Sequence, residues 1–162
     1  MQGTNPAQTS GVRACIAIGA NLGQAHLTVT QAIQDLAQLP HTQLLRASSL
    51  YRSAPVEASG PDFINAVALV QTTLSPLALL HALQALEQQA GRERPYPNAP
   101  RTLDLDLIFH GDTQMQTSEL TLPHPRWQSR AFVLLPLKEI CPERVSAQDW
   151  LQVQHQGIQK IA

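Results

Sequence analysis

Lysine and cysteine are scarce in this chain, and each shortage excludes something. Lysine occurs only at Lys138 and Lys160 against nine arginines, and with 12 acidic residues the formal net charge is −1. No bulk field therefore draws the protein to nucleic acid or to an anionic membrane. The two cysteines, Cys15 and Cys141, stand far apart inside apolar stretches, with no CxxC or Cys/His ligand spacing around either. That argues against a disulfide scaffold and a Cys/His metal site, and is expected of buried free thiols in a reducing cytoplasm. No apolar run approaches the length of a bilayer span, and the opening MQGTNPAQTSGV lacks the apolar core of a signal peptide. Internal repeats and low-complexity blocks are missing too. So are a GxxxxGK[ST] string and a protein-kinase catalytic-loop signature, which removes the common ATP-binding architectures.

What is present is the make-up of a globular protein: 162 residues, 17.7 kDa, 43% hydrophobic and 14% charged. A chain of that size buries roughly two thirds of its unfolded surface in one core. Residues 1–11 are expected to form a flexible tail and 12–162 a single domain, with no room for a fused second catalytic domain.

Arg13 to Gly19 reads as a buried strand running into a glycine-rich turn at 19–23. Val29, Ile33, Leu36 and Leu39 recur at helical spacing until Pro40 stops them. Leu44 to Arg52 predicts a strand, Ala54 to Asp62 a loop, and Phe63 to Thr72 a central buried strand. Ser75 and Pro76 open a second helix with Leu79, Leu80, Leu83, Leu86 and Ala90 inward and Gly91 just past its end. The three prolines of RERPYPNAP, 92–100, rule out regular structure and predict an exposed, mobile basic loop. Leu103 to Phe109 is a strand, GDTQ at 111–114 a turn, and Leu120 to Leu122 a short returning strand. Trp127 to Ile140 is mostly helical or mixed, and the segment beyond it has no clear pattern. Strands interspersed with helices predict an α+β sandwich built on a largely antiparallel sheet.

The chemical centre is Arg101-Thr102-Leu103-Asp104-Leu105-Asp106. Side chains alternate along a strand, so Asp104 and Asp106 share one face while Leu103, Leu105 and Leu107 enter the core. Two adjacent carboxylates repel unless a cation sits between them, and hard oxygen ligands suit Mg²⁺ shared with substrate phosphates. The alternative is a solvated strand face that only opposes aggregation. Strand interiors disfavour Asp, and five arginines fall between 92 and 130, which favours a metal-phosphate site.

His124, pinned between Pro123 and Pro125, and Arg130, four residues after Arg126, read either as a phosphate-contacting set or as surface groups fixed by packing. Arg126 is equally a structural charge. Phe63 and Asn65 share one side of their strand, a combination able to hold a planar heterocycle, though taken alone a core Phe beside a bonded Asn is the stronger reading. The histidines at 26, 41, 81, 110 and 155 are dispersed and read as surface or incidental.

The ordered set IGANLG at 18–23, YRSAP at 51–55, PDFINA at 61–66, GRER at 91–94, APRTLDLDL at 99–107 and LPHPR at 122–126, with Arg130 and Phe132 beyond, resembles the 6-hydroxymethyl-7,8-dihydropterin pyrophosphokinase family. The resemblance spans about residues 13–142. It implies a ferredoxin-like sandwich, usually monomeric and cytoplasmic, that transfers the terminal two phosphates of ATP to the pterin hydroxymethyl group. By similarity Asp104 and Asp106 hold two Mg²⁺ ions, and Arg92 and Arg101 contact phosphates with a catalytic role. Glu87, Leu107, Thr121, His124 and Arg130 complete the ATP side. Phe63 and Phe132 would sandwich the pterin ring, with Asn65 and the chain from Ser53 through Ala54 and Pro55 to Val56 reading its polar edge. Departures are Ala20 in place of a common serine, Phe63 in place of a frequent tyrosine, Glu119 where some members are basic, and a loop at 95–98 without a further basic residue; they predict altered affinity or loop motion with the chemistry retained. Two other readings stand beside this one. A different Mg²⁺-dependent phosphoryl or nucleotidyl transferase would not need the paired aromatic clamp, and in a non-catalytic binding module the two aspartates would be surface decoration.

Overall fold

The computed structural model describes residues 11–55, 60–91 and 103–161. All of the expected tail at 1–11 except Gly11, together with Val56 and the basic stretch with Arg92, Arg94 and Arg101, lies outside the described residues. At the centre runs β1 (Val12–Ala20), paired antiparallel on one side with β4 (Phe63–Thr72) and on the other with β5 (Asp104–His110). Both β1 and β4 are covered on both faces over most of their length, which is why their sequences run apolar almost without interruption.

The outer edge of β4 is shared by two short strands. β2 (Thr42–Ala47) pairs with its far half and β3 (Tyr51–Ser53) with Phe63–Asn65, and β8 (Ile158–Lys160) adds to β3. The resulting six-stranded sheet is ordered β5-β1-β4-β3-β8 with β2 beside β4. β6 (Met115–Gln116) and β7 (Thr121–Leu122) form a separate ribbon. A single strand was expected from Leu44 to Arg52; the chain instead steps at Ser48. The Ser48 N–H donates to Val67 O at 2.8 Å and its Oγ accepts from Val67 N at 2.9 Å, so a side chain takes over one ladder bond and releases the backbone to restart as β3.

Helices cover both faces. On the first lie α1 (Ala25–Ala37) and α2 (Pro76–Gly91), packing Val29, Leu36, Leu79 and Leu83 against Ile16, Ile18, Ala66 and Leu105. Ser75 caps α2 as the sequence predicts, its Oγ accepting from Ala78 N at 3.1 Å. On the second face lie α3 (Ala131–Ile140) and α4 (Ala147–Val153), whose Val133, Leu134, Leu137 and Val153 meet Cys15, Val67, Leu69 and Ile108. Trp127 to Ile140 therefore divides into a 3-10 turn at Trp127–Ser129 followed by α3. The patternless C-terminus contains a helix opened by a reciprocal Ser146–Asp149 capping box. Strand, helix, the paired β2/β3 edge, strand, helix, strand is the ferredoxin-like α+β arrangement. Both cysteines are free and buried. His110, read as surface or incidental, is instead buried, with Nε2 bonded to Leu74 O at 2.8 Å.

Candidate active site

The second face of the sheet is not covered along its whole length. Where β1 ends, Gly19 stands between Asn65 of β4 and Asp104 of β5, and Ala17 pairs with Asp106. Alternation puts Asp104 and Asp106 on this face and Leu103, Leu105 and Leu107 in the opposite core, about 7 Å separating successive same-side positions. Ile108 is an extra residue in the β1–β5 ladder, since Leu107 pairs with Ile16 and Phe109 with Cys15. Beyond that bulge the strand is apolar on the second face too, so the carboxylates are confined to one end. Gly19 was expected to open a turn; it lies inside β1, and a Cβ there would come within 3.3 Å of Asn65 Nδ2 and 4.0 Å of the Phe63 ring. The turn glycine is Gly23, at φ 59°.

Above this floor opens a cleft of about 790 Å³, within the size range of small-molecule sites. One wall carries Ser53, Ala54, Pro55, Phe63 and Asn65; the other carries Arg126, Ser129, Arg130 and Phe132, with Gln156 from the C-terminal segment. Asn65 is 4% exposed, and its Oδ1 accepts from Ser53 Oγ at 2.6 Å. Because that bond orients the amide, its amino group is the end left beside Gly19 as a donor. Phe63 and Phe132, both half-buried, face the same space.

The opposite wall is cationic. Arg130 Nη1 lies 3.9 Å from Asp106 Oδ2 and its guanidinium stands 5.4 Å from the Phe132 ring centroid. Arg126 and Arg130 converge here without a continuous α-helix, through the 3-10 turn between them. His124 Nδ1 accepts from Arg126 N at 3.0 Å, so a neutral His124 carries its proton on Nε2. Burial holds its pKa below the ordinary value, with Arg130 and Arg126 acting in the same direction and Asp106 opposing.

The cleft thus brings together Ser53, Ala54, Pro55, Phe63, Asn65, Asp104, Asp106, Arg130 and Phe132. It is not lined by Glu87, Leu107, Thr121 or His124. Glu87 reaches from α2 to accept the Leu105 N–H at 2.7 Å, beside the aspartates. The Leu107 side chain is in the first-face core, Thr121 is half-buried on β7, and His124 touches the site through Arg126. Gly19, Ser129 and Gln156 went unrecognised in the sequence. Gly19 looked like a turn residue, and Gln156 is one of many glutamines with no local signal.

Among the described residues no group of three or more His, Cys, Asp or Glu side chains could hold a metal ion. Two carboxylates alone suit an ion that takes its other ligands from water and phosphate oxygens, which is how Mg²⁺ binds with nucleotides. The donor set therefore fits Mg²⁺ and does not fit a closed structural site. No described helix is long and apolar enough to cross a membrane.

Known proteins resemble this chain over most of its length. Residues 15–142 match the family model described as 7,8-dihydro-6-hydroxymethylpterin-pyrophosphokinase. A protein of Synechocystis sp. named 2-amino-4-hydroxy-6-hydroxymethyldihydropteridine pyrophosphokinase is 44% identical over 140 residues, covering 86% of this chain and 71% of the relative. One of the same name from Pseudomonas aeruginosa is 42% identical over 132 residues, covering 81% and 82%. Among solved structures, the crystal structure of HPPK-DHPS in complex with substrates superposes with a TM-score of 0.66 at 15% identity. It covers 83% of this chain, which spans 41% of that longer chain, so the likeness speaks to fold alone.

Proposed function

This chain belongs to the 7,8-dihydro-6-hydroxymethylpterin-pyrophosphokinase family, and on that premise we propose that it transfers the β- and γ-phosphates of ATP to 6-hydroxymethyl-7,8-dihydropterin with Mg²⁺. The hydroxymethyl oxygen bonds to the β-phosphorus and loses its proton. The bond from that phosphorus to the α–β bridging oxygen breaks, and AMP leaves with the electron pair. The product is the pterin diphosphate, a step of folate biosynthesis. The observation that carries this reading is one cleft holding a carboxylate pair, an arginine and two phenylalanines around an oriented amide.

Each residue has a task in it. Phe63 and Phe132 take the two faces of the flat bicycle, and the Asn65 amino group, oriented by Ser53, donates to an acceptor on its polar edge. Asp104 and Asp106 would hold Mg²⁺, which would supply neutralisation of the phosphate charge. Arg130, already beside Asp106, adds a forked donor for the transferring phosphates. Arg92 and Arg101 belong to the same role by resemblance, and Glu87, Leu107, Thr121 and His124 to the nucleotide side. Glu87 holds the Leu105 backbone between the two aspartates, and Leu107 offers only its main chain. The reading includes a cytoplasmic monomer, and the free buried thiols support the reducing compartment.

The test is AMP release from ATP and Mg²⁺ with and without the pterin, using Asp106→Ala as control. Pterin-dependent AMP that disappears in the variant is expected. ADP in place of AMP would mean ordinary kinase chemistry, and a folded protein without turnover would make this a binding module.

A further inference from the structure

Arg130 stands at a structurally exposed point. It is the N-cap residue of α3, its guanidinium has no acceptor to offer a helix N–H, and the side chain is turned into the cleft toward Asp106. The chain on either side is held from elsewhere. Gln156 Oε1 accepts the Ala131 N–H at 2.9 Å, and Gln156 Nε2 donates to Ser129 O at 3.0 Å. One side-chain amide therefore clasps the residues immediately before and after Arg130. It supplies the acceptor that the helix N-terminus lacks, and it ties down the end of the 3-10 turn.

Gln156 is itself fixed. Its N–H donates to Val153 O at 2.9 Å, and two residues on the chain enters β8, where Ile158 pairs with Ser53. The segment 154–160 is thus a strap running from the wall with Ser53 and Asn65 to the wall with Arg130 and Phe132. It lies wholly beyond residue 142, where the match to the family model stops.

We propose that Gln156 is a positioning residue of the active site: its amide sets the backbone at Ser129–Ala131 and so aims Arg130 at the transferring phosphates beside Asp106. The strap contributes this by holding both walls at a fixed separation. The amide does both jobs because it has an acceptor and a donor at one end; a carboxylate would keep the bond to Ala131, lose the one to Ser129 O and attract the Arg130 guanidinium out of the cleft. The inference rests on the pyrophosphokinase reading, and the experiment separates the two.

The experiment is a double-mutant cycle on pterin-dependent AMP release in the full chain, with wild type, Gln156→Ala, Arg130→Ala and the double variant, each checked by thermal melting. Wild type without pterin-dependent AMP overturns the functional reading, and the inference with it. Given an active wild type, Gln156→Ala is expected to lower kcat about tenfold, and the double variant to lie within about twofold of Arg130→Ala, because residues acting as a unit are non-additive. A merely structural glutamine would lower the melting temperature and multiply its loss onto that of Arg130→Ala. That outcome, or unchanged kcat in Gln156→Ala, overturns the proposal. Should Gln156→Ala fail to fold, Gln156→Glu reads the same cycle. There a loss of kcat that is cancelled in the Arg130→Ala background supports the proposal, and an additive loss or none overturns it.

Discussion

The two faces of one sheet are finished in different ways. On the first, α1 and α2 cover the strands, and Ile16, Ile18, Leu79, Leu83 and Leu105 are almost entirely removed from water. On the second, α3 and α4 cover only the half near Cys15, Leu69 and Phe109, and the remainder opens as the cleft over Gly19, Asn65, Asp104 and Asp106. The same strands serve both, because alternation lets β5 send leucines one way and carboxylates the other. The closed face supplies stability that the open one gives up: a glycine without packing, a buried amide and two neighbouring acids all cost free energy that a closed core would not. Chemistry is placed where one layer of covering is withheld.

Substitutions on either face sharpen this contrast. The largest effect on folding is expected from Leu83→Ala, fully buried between α2 and the sheet, which should lose about 2–5 kcal/mol of unfolding free energy in urea titration. Asp104→Asn, on the open face, is expected to reverse the pattern. Turnover should fall about 100- to 1000-fold, the scale of losing one key charge-stabilising group, while the urea midpoint stays at the wild-type value or rises. A parallel loss of stability in that variant would mean that Asp104 is a folding residue.

A smaller effect belongs to Glu139, at the join between covered and open halves. From the end of α3 its carboxylate accepts from Ser49 N, Ser49 Oγ and, at 2.6 Å, Tyr51 Oη, bracing the step between β2 and β3. Burial alone would raise its pKa, but the bonds from Tyr51 and Ser49, with Lys160 nearby, take it below the ordinary value. A carboxyl depressed in the folded state contributes stability above its unfolded pKa and loses it as pH falls through the lower folded value. Glu139→Gln should therefore cost about 1 kcal/mol or less near neutrality, since the group is exposed, and should flatten the acid limb of a stability–pH curve below about pH 4.5. An unchanged acid limb would remove Glu139 from this role.

Legibility in the sequence followed the locality of each signal. The β4 strand and the Ser75–Pro76 start of α2 were readable because an apolar run and a cap are written within a few residues. The Asp104–Asp106 pair was readable for the same reason, as period two needs only three positions. The step at Ser48 was not, because it depends on Val67 across the sheet. His110 was misplaced because the carbonyl its ring bonds, Leu74 O, lies 36 residues away. Arg126 and Arg130, four residues apart, both reach the cleft through a 3-10 turn, a convergence that their spacing alone does not encode.

The amino-acid sequence by itself determined the order of strands and helices from β1 to β5 apart from the step at Ser48, the side-by-side carboxylates and, through its motifs, the family. Those are properties of short-range pattern, where backbone geometry alone decides which side chains share a face. Tertiary structure alone decided that Gly19 would be the cleft floor, that Ser53 would orient Asn65, and that a glutamine near the C-terminus would clasp the chain around Arg130. Each of these joins residues 12 to 46 positions apart in sequence, and the hydrogen bonds among them are 3.0 Å or shorter. The information for such contacts resides in how the layers pack, which no local period encodes.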